Sequence, residues 1–258
     1  SLPTLKRVIS AGAPVPPAVL ERMHRLLGPD ATVHTPYGAT EALPVSSLDS
    51  LEILRGTAAR TARGAGTCVG RPMQGLDLRI IKIDDRPIRQ WSDDLELSRG
   101  EIGEITVTGP IVTGAYYENP DANDLAKILH GTATRHRMGD VGYLDADGYL
   151  YLCDRRADVI ISGGVNVYPK EVEEVRYTHP AVFECAVIGV PDPDWGEAVR
   201  AIVALRPGAT ATERELLDFC REHLSNFKRP KSVGFVEEIP RNPSGKVLKR
   251  ILREEVSS

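Results

Sequence analysis

The stretch Thr35-Pro36-Tyr37-Gly38-Ala39-Thr40-Glu41 gathers an aromatic ring, a glycine, a hydroxyl and a carboxylate, and the reading of the whole chain turns on it. An aromatic ring can stack on a purine, and glycine lets backbone approach a ligand closely. Threonine can hydrogen-bond phosphate, and glutamate can hold Mg²⁺. Alone, a turn containing Tyr-Gly is more often structural than catalytic, so its weight depends on its company.

Upstream, Val8-Ile9-Ser10 reads as a short buried strand. Pro16 to Leu27 then places Val19, Leu20, Met23, Leu26 and Leu27 at helical spacing before Gly28, which predicts an amphipathic helix with a glycine end. Downstream, Ile53 to Gly66 and Asp84 to Arg99 read as polar surface loops. The β-rich runs are Leu76 to Ile83, Ile102 to Thr108, and Val141 to Leu144 against Tyr149 to Leu152, the last pair turned by Asp145-Ala146-Asp147-Gly148. After about Asp154 the order becomes that of a compact α+β domain. Its helices are opened by Pro169, running through Arg176, and by a Thr212/Glu215 capping box, running through Leu224. Its strands are Val182 to Val190, Val199 to Leu205 and Val233 to Val236.

Composition sets broad limits. The 258 residues suffice for one large or two smaller domains, and no apolar run is long enough to span a bilayer. The start of the chain lacks the pattern of a secretory signal, so the expected location is cytoplasmic. Cys68, Cys153, Cys185 and Cys220 show no metal or disulfide spacing. A net charge of −4 gives no reason to expect nucleic acid as a partner, although Arg221 to Ser258 carries nine Lys/Arg against five Asp/Glu. That tail is either a local anion site or a solvated helical face.

Further motifs accompany the first, in order: Ser10-Ala11-Gly12-Ala13-Pro14, Gly139-Asp140, Asp154-Arg155, Ser162-Gly163-Gly164-Val165-Asn166-Val167-Tyr168-Pro169, and Pro240-Arg241-Asn242-Pro243-Ser244-Gly245-Lys246. Together with Tyr37 to Glu41, they resemble the motifs of the adenylate-forming (AMP-binding) superfamily, in particular acyl-CoA synthetases of the fatty-acid–CoA ligase type. The last is not a Walker A loop, since Pro240 stands where that loop needs its first glycine.

The resemblance implies α/β plus α+β architecture. Residues 1–153 would form the C-terminal part of the AMP-binding N-domain, with a sheet and a β-rich subdomain. Residues 154–158 would be a hinge, and 159–258 a small mobile α+β domain. It implies an ATP-dependent, AMP-forming acid–thiol ligase that activates a carboxylic, expectedly fatty, acid and passes it to CoA, with ATP, Mg²⁺ and CoA as cofactors. Gly12, Ala13, Pro14, Tyr37, Gly38, Asp140 and Arg155 would bind nucleotide, Asp140 through the ribose hydroxyls. Thr40, Glu41 and Lys246 would serve catalysis, Glu41 as metal ligand and Lys246 at the developing negative charge.

For CoA the resemblance points to Gly163, Gly164, Phe227, Arg229 and Lys231, with Trp195 as either a wall of the passage or a surface anchor. For Phe227, stacking on the CoA adenine and core packing both stay open. The pivot would fall at Arg156-Ala157, where Ala157 replaces the usual Asp or Lys. The family's phosphate loop lies upstream of the first motif, so the chain is expected to be a C-terminal portion. Its missing partner would be the N-terminal region of a longer protein, without which adenylation would not be completed.

Thr35 to Ser47 and His136-Arg137-Met138-Gly139-Asp140 also resemble the olefin-biosynthesis β-lactone synthetase branch, which closes a β-hydroxy acid into a ring without CoA. A non-catalytic nucleotide-binding module is the remaining alternative.

Overall fold

The computed structural model describes all residues except Ser1, Pro3, Pro29, Pro243, Ser244, Lys246 and Ser258, and gives only the backbone at Gly64, Arg176, Tyr177 and Ser257. The chain divides into two compact units, Ser1–Arg156 and Ala157–Ser258.

In the first unit β1 (Arg7–Ile9) lies parallel to β2 (Thr32–Ala39), and the helix Pro17–His24 forms part of the connection between them. β2 turns back antiparallel into β3 (Ala42–Asp49), which passes to β4 (Thr67–Pro72). The sheet continues through β5 (Asp77–Ile81), β6 (Gly103–Thr108), β7 (Lys127–His130), β8 (Ala133–Leu144) and β9 (Leu150–Arg155). Among the described residues the order is β1-β2-β3-β4-β9-β8-β6-β5, with β7 added beside β8. Alternate residues of several strands, including Val45, Val69, Ile80, Ile105, Val107 and Leu150, meet in one apolar cluster.

Three expectations need correcting. Ile9 is 71% exposed and its neighbours Arg7 and Val8 are not buried, so this strand is not a buried one. Tyr37-Gly38 is no turn: both residues lie inside β2, and the turn follows at Thr40-Glu41, as the pairing of Ala39 with Ala42 requires. Of the stretch Ile53 to Gly66, all but Gly66 is helical rather than looped. A capping box of Asp49 with Glu52 starts the winding, and π-helical turns at Ile53–Thr57 and Thr61–Ala65 displace the apolar residues from the 3.6-residue repeat that a sequence reading seeks. Ile53 and Ala65 still reach the cluster of Leu48, Cys68 and Tyr151.

The second unit is a twisted five-stranded sheet among the described residues, made of β10 (Ile160–Ser162), β11 (Val165–Val167), β12 (Val182–Asp192), β13 (Gly196–Leu205) and β14 (Ser232–Phe235). β12 pairs antiparallel along β13, while β10 pairs antiparallel with β13 at Gly196 and β14 pairs parallel with Arg200–Val203 of β13. Strand alternation sends Cys185, Val187, Ala201 and Val203 to one face, under the helices Pro169–Tyr177 and Glu213–His223 through Val172, Leu216 and Cys220. Ala186, Ile188, Ile202 and Ala204 go to the other face, covered by Leu252 of the helix Lys249–Ser257.

Candidate functional site

Ligands of α/β proteins collect beyond the carboxyl ends of parallel strands, and the first unit places two motifs there. Ser10 extends the parallel pairing through its N–H to the His34 carbonyl (2.9 Å), and Ser10–Pro14 leaves β1 beside the last residues of β2. Gly12 turns this loop with φ +97°, a conformation that a side chain would strain. On β2, a Cβ at Gly38 would lie 2.4 Å from the Ala42 carbonyl oxygen, so only glycine lets the returning hairpin approach this closely.

Asp140 reaches the same end through an irregularity in β8. Glu104 pairs with Val141 and Thr106 with Arg137, so Ile105 faces three residues, Met138 to Asp140, and Gly139 absorbs the bulge with φ +68°. The Gly139-Asp140 motif is thus a bulge within a strand. Asp140 is 5% exposed, and both its carboxylate oxygens have protein partners. The Tyr37 hydroxyl donates to Oδ2 (2.7 Å), and Arg155 Nη1 lies 2.9 Å from Oδ1, across the β8–β9 pairing of Asp140 with Arg155. Burial and the Asp140 charge raise the Tyr37 hydroxyl well above its ordinary range, so it remains a neutral donor. Tyr37, Asp140 and Arg155, separated by up to 118 positions, meet in one triad.

At the hairpin tip, Thr40 is exposed and Glu41 half-buried. The Tyr116 hydroxyl donates to Glu41 Oε1 (2.7 Å), and Thr113 N–H to the Glu41 carbonyl (2.9 Å). The Tyr116 hydrogen bond holds the Glu41 carboxyl below its usual range; burial, with Glu41 beside it, pushes the Tyr116 hydroxyl up to about 12. Lys127 Nζ donates to the Thr113 carbonyl (2.7 Å) and hydroxyl (3.1 Å), and burial lowers its pKa. His136 lies beneath, edge-on to Tyr116 and 3.2 Å from the Ala126 carbonyl through Nδ1; burial first, then the Lys127 charge, push it down to about 4. Sequence reasoning missed Tyr116 and Lys127 and gave His136 no site role. Their types are ordinary and their positions distant, and no local signal marked them.

No group of three or more metal-ligating side chains occurs among the described residues. Glu41 with the Thr40 hydroxyl nevertheless fits Mg²⁺, which takes one or two carboxylates and completes its shell with phosphate oxygens and water.

In the second unit, Gly163-Gly164 is the two-residue turn between β10 and β11, with φ +58° and +79°. Gly163 N–H donates to the Trp195 carbonyl (2.8 Å), and a Cβ at Gly163 would lie 2.5 Å from the Trp195 ring. Trp195 is 51% exposed, and Lys231 Nζ stands 5.5 Å from its ring centroid, so Gly163, Trp195 and Lys231 form one cluster. Phe227 is 47% exposed, which sets aside the core-packing reading, and its short turn Asn226–Lys228 lies against β11. Arg229 is spent differently from expectation. Its guanidinium donates to the Leu224 (2.9 Å) and Arg221 (3.0 Å) carbonyls at the end of the helix Glu213–His223, where unpaired carbonyls attract a cation.

Around the expected pivot, Arg156 Nη2 donates to the Asp84 carbonyl (2.9 Å) and Asp85 Oδ1 (2.8 Å) within the first unit. Asp158 pairs with Arg253 (2.9 Å) within the second. Lys246 lies outside the described residues.

A family model described as AMP-binding enzyme matches residues 1–117, and one described as AMP-binding enzyme C-terminal domain matches residues 171–246. An olefin beta-lactone synthetase of Stenotrophomonas maltophilia is 47% identical over 194 residues, 73% of this chain and 35% of that protein. A 2-succinylbenzoate–CoA ligase of Bacillus mycoides is 38% identical over 253 residues, 98% of this chain and 47% of that protein. The crystal structure of ATP-bound MatB from Rhodopseudomonas palustris superposes with a TM-score of 0.74 at 32% identity, covering 97% of this chain and 45% of that one. The chain thus spans about half the length, or less, of the proteins it matches.

Proposed function

The chain belongs to the AMP-binding enzymes, and from that premise we propose that it serves an ATP-dependent, AMP-forming acid–thiol ligase whose substrate is a carboxylic acid and whose acceptor is CoA. The meeting of Tyr37, Asp140 and Arg155 beside the Thr40-Glu41 tip carries this reading. A carboxylate flanked by a neutral phenol and a guanidinium suits a ribose diol, and the Tyr37 ring, Gly38 and the Ser10–Pro14 loop suit an adenine. Fatty-acid specificity rests on the resemblance alone.

In this mechanism a carboxylate oxygen attacks the α-phosphorus of ATP and pyrophosphate leaves. The CoA sulfur then attacks the acyl carbon and AMP leaves. Asp140 and Arg155 fix the ribose, so that the α-phosphorus is presented in line with the attacking oxygen. Glu41 and Thr40 would hold Mg²⁺, which when bound offsets phosphate charge. Lys246 would stabilise the charge developing at the α-phosphate. In the second unit Gly164 would leave backbone open to the pantetheine arm, with Gly163 packed against Trp195 and Lys231 beside that ring. Phe227 would stack on the CoA adenine. Arg229, holding the helix end, is a poorer candidate for phosphate. Rotation of residues 159–258 about Arg156-Ala157 would exchange the two half-reactions.

A β-lactone synthetase is the second reading, favoured by the 47% identity to that enzyme and by His136-Arg137-Met138 before Asp140. AMP release from ATP with a panel of carboxylic acids, with and without CoA, separates the two. The ligase reading expects release that depends on CoA. Release with a β-hydroxy acid alone supports the lactone reading, and no AMP from any acid, assayed together with an N-terminal region carrying the phosphate loop, contradicts both.

A further inference from the structure

We propose that Tyr116 is a positioning residue for Glu41, orienting its carboxylate toward the metal–phosphate end of the nucleotide; the inference rests on Glu41 being the Mg²⁺ ligand. A glutamate on a two-residue hairpin tip has several freely rotating bonds and a poorly defined carboxylate. Here it is gripped twice by the segment that follows β6. Thr113 N–H holds the Glu41 backbone carbonyl (2.9 Å), and the Tyr116 hydroxyl holds Oε1 (2.7 Å).

Tyr116 is itself locked. Its N–H donates to Asn123 Oδ1 (2.6 Å), and Asn123 Nδ2 donates back to the Tyr116 carbonyl (3.0 Å). Asn123 lies on the short helix Pro120–Ala126, whose first turn is capped by Asn119 through the Ala122 N–H (3.1 Å). The Tyr116 ring meets the edge of His136 at 6.3 Å between centroids, and Lys127 Nζ stands 5.3 Å from its centroid. The hydroxyl is therefore aimed before any ligand arrives.

The chemical type of this donor matters as much as its position. A lysine or arginine paired with Glu41 would neutralise it and compete with a divalent cation. A phenol orients the carboxylate while leaving its charge in place, and one hydroxyl takes one of about four lone-pair positions. Lys127, a cation in the neighbourhood of Glu41, sends hydrogen bonds to Thr113.

The test is calorimetric: MgCl₂ titrated into the full chain in saturating ATP, and AMP titrated without metal, for wild type, Tyr116→Phe, Asn123→Ala and Glu41→Gln. Tyr116→Phe keeps the ring and removes only the donor. It should weaken Mg²⁺ binding to the ATP complex about tenfold, the size expected of a hydrogen bond to a charged group, and change AMP affinity by less than about twofold. Asn123→Ala, which frees Tyr116, should show a smaller loss of the same kind. Wild-type Mg²⁺ affinity in Tyr116→Phe, with Glu41→Gln impaired, overturns the inference and leaves the reading of Glu41 intact. Equal losses of Mg²⁺ and AMP affinity in Tyr116→Phe make Tyr116 a merely structural residue and also overturn it. Unchanged Mg²⁺ affinity in Glu41→Gln, or no Mg²⁺-dependent binding by wild type, overturns the metal reading and the inference with it.

Discussion

Replacing His136 by phenylalanine should remove a defined part of the acid sensitivity of the first unit. His136 is 2% exposed, and burial with the neighbouring Lys127 charge lowers its pKa from 6.5 to about 4. The unfolded chain takes up this proton as pH falls through 6.5, and the folded chain resists it until about 4. Stability is therefore intact above the unfolded pKa and is lost on acidification across that window. At about 1.4 kcal/mol for each tenfold change in proton affinity, the loss reaches roughly 3 kcal/mol. The ring is too deeply buried for solvent to screen much of this. His136→Phe forfeits the hydrogen bond to the Ala126 carbonyl, a cost that does not depend on pH. Urea unfolding followed by Trp91 fluorescence in a Trp195→Phe background reports on the first unit, because the two tryptophans lie in different units. Relative to wild type, the variant should gain about 3 kcal/mol between pH ~7 and pH ~4. A stability difference that stays constant across that range would refute a buried neutral imidazole.

Other perturbations follow from the geometry. Gly38→Ala sets a Cβ against backbone, 2.4 Å from the Ala42 carbonyl oxygen, and should cost about 1–3 kcal/mol in thermal or urea unfolding while weakening AMP binding; wild-type stability would show that the hairpin yields freely. Gly163→Ala combines φ +58° with a Cβ 2.5 Å from the Trp195 ring. The left-handed backbone alone costs roughly 1–2 kcal/mol. Trp195 emission should shift and CoA affinity fall severalfold with AMP affinity unchanged, and calorimetry with both ligands checks the split.

The candidate site of the first unit was legible where several special residues stand together, as in Tyr37 to Glu41, and that of the second where a turn forces a residue type, as at Gly163-Gly164. The hairpin joining Leu144 to Leu150 and the Thr212/Glu215 capping box were legible for the same reason, since short-range geometry dictates their residues. What was hidden depends on tertiary contact. Tyr116 lies 75 positions from the carboxylate it grips, and nothing local to either residue signals the other. The bonding of Arg229 to the carbonyls of a helix end was hidden too, because a basic cluster reads alike whether it faces a ligand or such carbonyls. The winding after Asp49 was hidden by its π-turns, which break the repeat that betrays a helix.

The central claim is that Asp140, held between Tyr37 and Arg155, anchors the ribose of an adenine nucleotide. Calorimetric titration of AMP into the full chain and into Asp140→Ala tests it most directly. One AMP should bind per wild-type chain, and the variant should bind at least about tenfold more weakly, since hydrogen bonds to a charged group are lost. Equal AMP affinity in the two proteins, or no AMP binding by wild type, would contradict the account.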